Sequence, residues 1–518
     1  MSHIEKDLIV GKDQLRDERW VLIAAILASS MAFIDGSALN VALPALQAGL
    51  HASASQLLWI VNAYLLMLSS LILVGGSLGD HFGRKRIFSI GIRIFSLASL
   101  ACGLAPSAEF LISARAIQGI GGALMIPGSL SLISATFATA RRGRAIGTWS
   151  ALSTATTLVG PVLGGFLASQ GWWRGIFLIN LPLSLIALYI LARAPESREA
   201  TPTGIDWPGT ALITLGLAGL TYGFIEAPQT GLFTLPILTA LGIGLIAILV
   251  FPWVEARREF PLIPFSLFRS PTFLGTNLLT LLLYAALNHG LFFFTLNLIQ
   301  VQGYDESIAG FAMLPFGILL TLLSRFAGSW ADRVGPKWPL TIGPAIVALG
   351  FIWMTFPMKT AGPSDYWVTY FPSLVLLGIG MGITVAPLTT AVMASVSTER
   401  SGLASGINNA VARTAGVLAI AIVGSVVLGS FQVRLSRQVE ALPITPKIAS
   451  ELRLESSNLA GAQPPTGLDP ALKDQIEESI SNSFIGSFRL QAWIAAALAS
   501  MSALISIFLI ERHPTIAG

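Results

Sequence analysis

Gly76-Ser77-Leu78-Gly79-Asp80-His81-Phe82-Gly83-Arg84-Lys85 closes one apolar run, and Gly328-Ser329-Trp330-Ala331-Asp332-Arg333-Val334-Gly335-Pro336-Lys337 closes another. The two strings begin 252 residues apart, and duplication of so unusual a string implies two related halves. Each copy places a carboxylate and basic residues where a segment of hydrocarbon length meets water. The chain therefore reads as an all-α polytopic membrane protein assembled from repeated helical bundles.

Composition agrees. Of 518 residues 53% are hydrophobic and 11% charged, whereas soluble domains carry about 25% charged residues. The formal charge of +4 is small for this length, and the basic residues sit in short clusters between apolar runs, which argues against a nucleic-acid partner. The single cysteine, Cys102, excludes an intrachain disulfide and reads as a small buried hydrophobe. The first nineteen residues mix both charges and lead into an apolar run without a small-residue cleavage site, so the first helix is expected to remain as an anchor.

A bilayer core needs about twenty apolar residues per helix, which gives about fourteen spans. They centre near residues 31, 66, 96, 123, 156, 183, 216, 242, 286, 318, 347, 382, 417 and 500. Lys6, Lys12, Arg16 and Arg19 precede the first span; Arg84 to Arg86, then Arg141, Arg142 and Arg144, then Arg257, Arg258 and Arg269 fill alternate loops. Basic residues near span ends favour the cytoplasm, so both termini are expected there. The long polar stretch at about 431–485 then faces outward. Within it, Asp469-Pro470 reads as an N-cap and first helical position of a surface helix leading into the last span. Each copy of the doubled string follows the second span of its half if spans seven and eight are set aside. The expected organisation is a six-helix bundle (1–200), a two-helix insert (201–260) and a second six-helix bundle (261–518).

Several separated stretches resemble one family. Phe33-Ile34-Asp35-Gly36-Ser37-Ala38-Leu39-Asn40-Val41-Ala42-Leu43-Pro44 is similar to its first-helix signature, with Gly36 and Ser37 as a small-residue variant. Arg115-Ala116-Ile117-Gln118-Gly119-Ile120-Gly121-Gly122 resembles its fourth-helix motif, and Gly160-Pro161-Val162-Leu163-Gly164-Gly165 its fifth-helix antiporter motif, although Thr156 stands where a further glycine is usual. Glu255 with Pro261, Leu267 and Phe268 resembles the connection into its second bundle. The family is the major facilitator superfamily, and within it the fourteen-span drug/proton antiporters. The resemblance covers nearly the whole chain and implies a secondary transporter in a bacterial cytoplasmic membrane, with protons, membrane lipid and a small amphipathic substrate as its partners and no cofactor.

Each motif carries a physical reading. Glycines 76, 79 and 83 permit close helix approach and a tight turn, and Asp80 suits a helix N-terminus, where the macrodipole favours negative charge. The resemblance assigns that N-terminus to span thirteen, near Ser401 and Gly402, as a latch on the cytoplasmic side, with Arg84 holding Asp80 and Arg144 contributing. Asp332 is the weaker copy, because Pro336 replaces the equivalent of Arg84. Positive-inside topology alone explains the arginines but not the glycines or the aspartate.

Asp35 lies ~22 Å into span one and Arg115 ~8 Å into span four from the other side, so the two share a depth. Pairing with a guanidinium lowers a carboxyl pKa and desolvation raises it, so small movements switch protonation. Asp35 and Arg115 are thus a candidate proton-coupling pair, with a permanent structural ion pair as the other reading. Gln118, one turn from Arg115, is positioned to share the network. Gly160, Pro161, Gly164 and Gly165 remove bulk and free a backbone carbonyl in span five, which suits a flexible gate, tight packing, or both.

Other polar residues are weaker candidates. Glu226 ends span seven beside Pro228 and is either solvated or coupled. Asn288 and His289 fall within span nine, where the imidazole is either a titrating group or a hydrogen-bonded structural one. Arg413, about 16 Å into span thirteen, requires an interior partner or water. Asn40, Trp59, Asn62, Phe293 and Asn297 complete a candidate substrate cavity of amides and aromatics, or else pack and face lipid. No P-loop, nucleophile with its base, or Cys/His metal cluster is present in the sequence, so neither an enzyme nor ATP as energy source is indicated. Three readings stand: a proton-coupled multidrug exporter, a carrier of one metabolite or lipid on the same fold, and a sensor or scaffold without transport. Possession of both Asp35 and Arg115 speaks against the last.

Overall fold

The computed structural model describes residues 3–137, 139–197, 204–397, 400–440 and 442–512, without the side chains of 3–15, 139–140, 142–144, 150–151, 154 and 401. Fourteen helices carry the architecture: α1 (His3–Leu50), α2 (Ala54–Phe82), α3 (Arg84–Gly103), α4 (Ala108–Thr136), α5 (Thr139–Ser169), α6 (Gly175–Leu191), α7 (Trp207–Thr230), α8 (Leu235–Glu255), α9 (Pro271–Val301), α10 (Glu306–Val334), α11 (Lys337–Trp353), α12 (Phe371–Ala394), α13 (Ser401–Glu440) and α14 (Pro470–Leu509). Eleven of them, among the described residues, are long and apolar enough to cross a membrane. The other three contain shorter apolar helices, Ala155–Ser169, Gly175–Leu191 and Lys337–Trp353, and every expected span centre falls within one of the fourteen.

The duplicated string has a structural counterpart. In the first half α1 packs on α5 and α6, and α4 on α2 and α3; in the second, α9 packs on α13 and α14, and α12 on α10 and α11. Adding eight to each helix number of the first half gives the second, with the insert α7–α8 skipped. The halves meet in the same reciprocal manner, α5 against α10 and α2 against α13. Such an exchange of equivalent helices is the signature of a pseudo-twofold axis. The insert helices pack on each other, and α7 lies against both α2 and α13.

Small residues set these seams. A Cβ on Gly75 would lie 2.1 Å from the Ala123 carbonyl oxygen, and one on Gly119 2.4 Å from that of Tyr64, so α2 and α4 meet backbone to backbone. Gly76, by contrast, has only an ordinary 3.8 Å contact with Pro127; the close approach belongs to its neighbour. Gly83 (φ +106°) and Gly335 (φ +83°) each turn the chain out of a helix, a conformation that only glycine adopts without strain.

The polar stretch at 431–485 is more helical than its composition suggests. α13 continues to Glu440, a short helix spans Pro446–Glu455, and α14 starts at Pro470 with the Asp469 side chain accepting from the Ala471 N–H. The first turns of α14 bury Ile476, Ile480, Phe484 and Ile485, so they are not a free surface helix. Apolar residues at helical spacing continue into the polar-rich sequence and give it a face to bury.

Candidate functional site

The site is built where α1 and α4 cross. Both side chains of the Asp35–Arg115 pair are at most 1% exposed, and Nη1 of Arg115 lies 2.5 Å from Oδ2 of Asp35. Gln118 closes a triangle: its Nε2 donates to Asp35 Oδ1 at 2.9 Å while its Oε1 accepts from Arg115 Nη1 at 2.7 Å. Arg115 Nε donates to the Ile60 carbonyl at 3.2 Å, and its guanidinium lies 4.3 Å from the Tyr64 ring centroid. Each carboxylate oxygen thus has its own donor, the guanidinium on Oδ2 and the amide on Oδ1. These charge-assisted bonds offset a desolvation cost of several kcal/mol per ion.

A second layer escaped sequence reasoning. Ser99 Oγ receives Nδ2 of Asn180 at 2.9 Å and Nε2 of Gln118 at 3.4 Å, and donates to the Phe177 carbonyl at 2.8 Å. Cys102 Sγ lies 3.6 Å from Gln118 Oε1. Ser99, Cys102 and Asn180 belong to α3 and α6, and no spacing rule links them to α4. Their shared depth in adjacent helices was the available signal.

Arg413 of α13 approaches the same region from the other half. Its guanidinium lies 5.9 Å from the Phe33 ring centroid, it is half-buried, and among the described residues no carboxylate pairs with it. Gly36 is exposed, with nothing within 4 Å of its Cβ position, and Asn40 is half-buried. Asn288 bonds the Tyr284 carbonyl at 2.7 Å and faces Gly416. Phe33 and Arg413 thus meet across the two halves.

Other candidates lie elsewhere. His289 is fully buried, its ring nitrogens 2.7 Å from the Ala285 carbonyl and 3.4 Å from that of Gln491, which ties α9 to α14. Phe293 is buried against Phe292. Asn297 donates to the Tyr370 hydroxyl at 2.9 Å near the end of α9. Asn62 is buried with neither amide atom partnered among the described residues. Glu226 of α7 accepts from Ser55 Oγ at 2.9 Å and Trp59 Nε1 at 2.8 Å, so it fastens the insert to α2 and takes Trp59 with it.

The fifth-helix motif is a packing seam on both sides. A Cβ on Gly160 would meet Ser37 Oγ at 1.8 Å, one on Gly164 the Ala38 carbonyl at 2.3 Å, and one on Gly165 the Glu306 carbonyl at 2.2 Å. From α10, Gly310 comes equally close to the Pro161 carbonyl, at 2.3 Å. The Ser169 and Ser307 hydroxyls share a 2.7 Å hydrogen bond at the end of this seam. There Gln47 also bonds Gln300 at 2.7 Å and the Asn458 carbonyl at 3.3 Å, so the stretch between α13 and α14 covers that end. Toward the opposite end, Gly147 and Gly402 have no neighbour within 4 Å of a Cβ.

At that opposite end Asp80 pairs with Arg84 at 2.8 Å, and Asp332 is exposed. Arg144 and Ser401 lie outside the described side chains. Glu196, not anticipated from the sequence, accepts the N–H groups of Lys85 at 2.9 Å and Arg86 at 3.1 Å. It supplies the negative charge that the start of α3 favours.

The profile of the Major Facilitator Superfamily matches residues 25–420. The chain is 32% identical over 450 residues to "Multidrug resistance protein Stp" of Mycobacterium tuberculosis, covering 86% of this chain and 82% of that protein. It is 31% identical over 508 residues to "Tetracenomycin C resistance and export protein" of Streptomyces glaucescens, covering 96% and 93%. Among solved structures, a bacterial homologue of the human lysosomal transporter Spinster, inward-facing and unoccupied, superposes with a TM-score of 0.64 at 18% identity over 94% of this chain and 97% of that one. A D-xylose-proton symporter does so with 0.59 at 15%, over 95% and 98%. With its paired halves, its reciprocal α5–α10 and α2–α13 seams and a match over most of its length, this multi-pass membrane protein belongs to the Major Facilitator Superfamily.

Proposed function

We propose that the chain is a proton-coupled exporter of amphipathic, drug-like compounds, working by alternating access between two six-helix bundles (1–200 and 261–518) with the insert 201–260 beside them. The observation that carries this reading is the buried Asp35–Arg115–Gln118 triangle, a carboxylate and a guanidinium paired in low dielectric within the first bundle. The export direction and cargo class rest on the resistance and export proteins that the chain resembles. Phe33, Gly36, Asn40, Asn288 and Arg413 form the wall of the substrate path in this reading, and α5 with its glycines forms the barrier on one side of it. Arg84 and Asp80, with Arg144 and Asp332, act at the latch end.

The alternate-loop distribution of Arg84 to Arg86, Arg141, Arg257 and Arg258 supports fourteen spans with both termini in the cytoplasm, in the inner membrane. The space between the halves then opens to the cytoplasm, and the Gln47 end is the sealed outer side. Protons enter from outside, neutralise Asp35 and release it from Arg115. The inward stroke carries the proton in, where Asp35 releases it, and the opposite stroke carries cargo out.

The test is proton release from the detergent-purified protein on adding lipophilic cations near neutral pH, with Asp35→Asn as comparison. Release in the wild type that is lost in the variant supports coupling through Asp35. Cation binding, measured separately, without proton release in either protein removes the antiport reading and leaves a facilitator.

A further inference from the structure

A pair of acids lies far along the chain from Asp35, where the insert begins and ends. Asp206 immediately precedes α7 and caps it, its Oδ1 accepting the Gly209 N–H at 3.0 Å and Nε of Arg258 at 3.0 Å. Glu255 is the last residue of α8, and its Oε2 accepts the N–H of Ile263 at 3.0 Å, in the linker that leads into α9. Both are buried, 3% and 1% exposed. Their remaining oxygens, Asp206 Oδ2 and Glu255 Oε1, are buried without a hydrogen-bond partner among the described atoms. Both oxygens crowd the same point: a Cβ on Gly209 would lie 2.2 Å from Glu255 Oε1 and 2.5 Å from Asp206 Oδ2. Gly209 is thus the residue that lets the two carboxyls meet.

We propose that Asp206 and Glu255 hold one proton between them, and that this shared proton clamps the two ends of the insert to the linker entering the second bundle. Two ionised carboxylates facing each other in a buried position repel, and Arg258 supplies one positive charge for the two of them; a single proton turns the repulsion into an O–H···O⁻ hydrogen bond. The proton resides on Glu255, since Asp206 already carries the guanidinium and the helix-start N–H. Burial pushes the Asp206 carboxyl up, but a proton donated by the neighbouring Glu255 carboxyl, with the Gly209 N–H and Arg258, outweighs it and holds Asp206 below the usual range.

The surroundings leave the proton as the controlling charge. On the segments that carry the pair, Arg257 lies over the Trp253 ring at 3.8 Å, and Glu259 and Arg269 are exposed. Beyond Leu262 and Ile263 lies a largely apolar cavity of about 240 Å³, walled by Ser70 and Leu73 of α2, Asn277 of α9 and Ile407 of α13. None of its lining side chains is charged. As pH rises Glu255 ionises, the hydrogen bond becomes a repulsion, and the grip on Ile263 loosens, so the clamp is present at low pH and lost at high pH. This makes the insert a proton-sensitive tether of the second bundle, independent of whether Asp35 couples transport.

Infrared difference spectroscopy of the full-length purified protein across a pH titration tests it, alongside amide hydrogen exchange of the 256–270 linker expressed as protection factors. A protonated-carboxyl band present in wild type and in Asp35→Asn, but lost in Glu255→Gln, is expected. Protection at Ile263 falls several-fold with rising pH in wild type and stays constant in Glu255→Gln, whose amide donates to Asp206 at every pH. Asp206→Asn provides a second route, because its amide donates to an ionised Glu255 and the band again disappears. Persistence of the band in both variants, or the same pH-dependent protection in wild type and Glu255→Gln, overturns the proposal. A band lost only in Asp35→Asn would overturn it too, while leaving the exporter reading intact.

Discussion

Asp35 and Arg115 meet at 2.5 Å with both side chains at most 1% exposed, and Gln118 bonds to each of them. Truncating one member of such a pair leaves the other as an uncompensated buried charge, which costs about 3–5 kcal/mol. Arg115→Ala leaves a buried carboxylate, and Asp35→Asn leaves a buried guanidinium with an amide N–H₂ facing the donor of either Arg115 or Gln118, so both variants are expected to melt lower than wild type. If Asp35 is the coupling group, Asp35→Asn keeps substrate binding and loses proton-driven uptake into inverted vesicles. A tryptophan-quenching titration beside a vesicle assay separates binding from coupling, and full drive in the variant would rule the role out.

Gly164 tests the seam between α1 and α5. Its Cβ position lies 2.3 Å from the Ala38 carbonyl oxygen, a backbone atom that cannot rotate away. Replacing glycine by alanine gains about 1 kcal/mol of helix propensity, but the clash costs about 1–3 kcal/mol, so the clash prevails. Gly164→Ala should melt lower than wild type, whereas Gly242→Ala, which has nothing within 4 Å, should melt at the same temperature or higher. Equal melting of the two variants would mean that α1 and α5 move apart freely.

Sequence and structure agree best where the physics is one-dimensional. Hydrocarbon-length runs fall on the fourteen helices, eleven of which, among the described residues, are long and apolar enough to cross a membrane, and the doubled string turns out of its helix at a positive-φ glycine in both copies, Gly83 and Gly335. Depth counting along two antiparallel helices brought Asp35 and Arg115 together, since rise per residue is fixed. Rotation about each helix axis was not legible. His289 and Phe293 lie on the same helix as Asn288, yet they face α14 and the aromatic core, and the hydropathy of the run is alike on every side. Ser99, Cys102 and Asn180 were invisible for the same reason, because each is an ordinary small or amide residue until α3 and α6 set it beside Gln118. The Gly209 contact with Glu255 joins positions 46 apart across a hairpin, which sequence spacing cannot close.

Glu196 offers a check on the turn between α2 and α3. Its carboxylate accepts the N–H groups of Lys85 and Arg86, two of the donors that a helix start leaves unsatisfied. Glu196→Ala should cost about 1 kcal/mol, the scale of a lost helix cap. The expected readout is faster amide exchange at Lys85 and Arg86 with transport retained. Unchanged exchange at both amides would show that water replaces the carboxylate without penalty.

At the Gln47 end of the molecule the hydroxyls of Ser169 and Ser307 lie 2.7 Å apart across the two halves, next to the Gly165 contact with the Glu306 carbonyl. In a carrier that alternates, these side chains must separate by the width of the passing cargo once per cycle. With Ser169→Cys and Ser307→Cys combined, an oxidant should join the halves through a disulfide in this conformation. Transport by the oxidised double variant should fall to the background of empty vesicles and return on reduction, while each single variant stays active. Cross-linking is monitored by a shift in mobility after proteolysis between the halves. Cross-linked protein that still transports at the wild-type rate would mean that the seam between α5 and α10 does not open, and the path would have to leave on another side of the bundle.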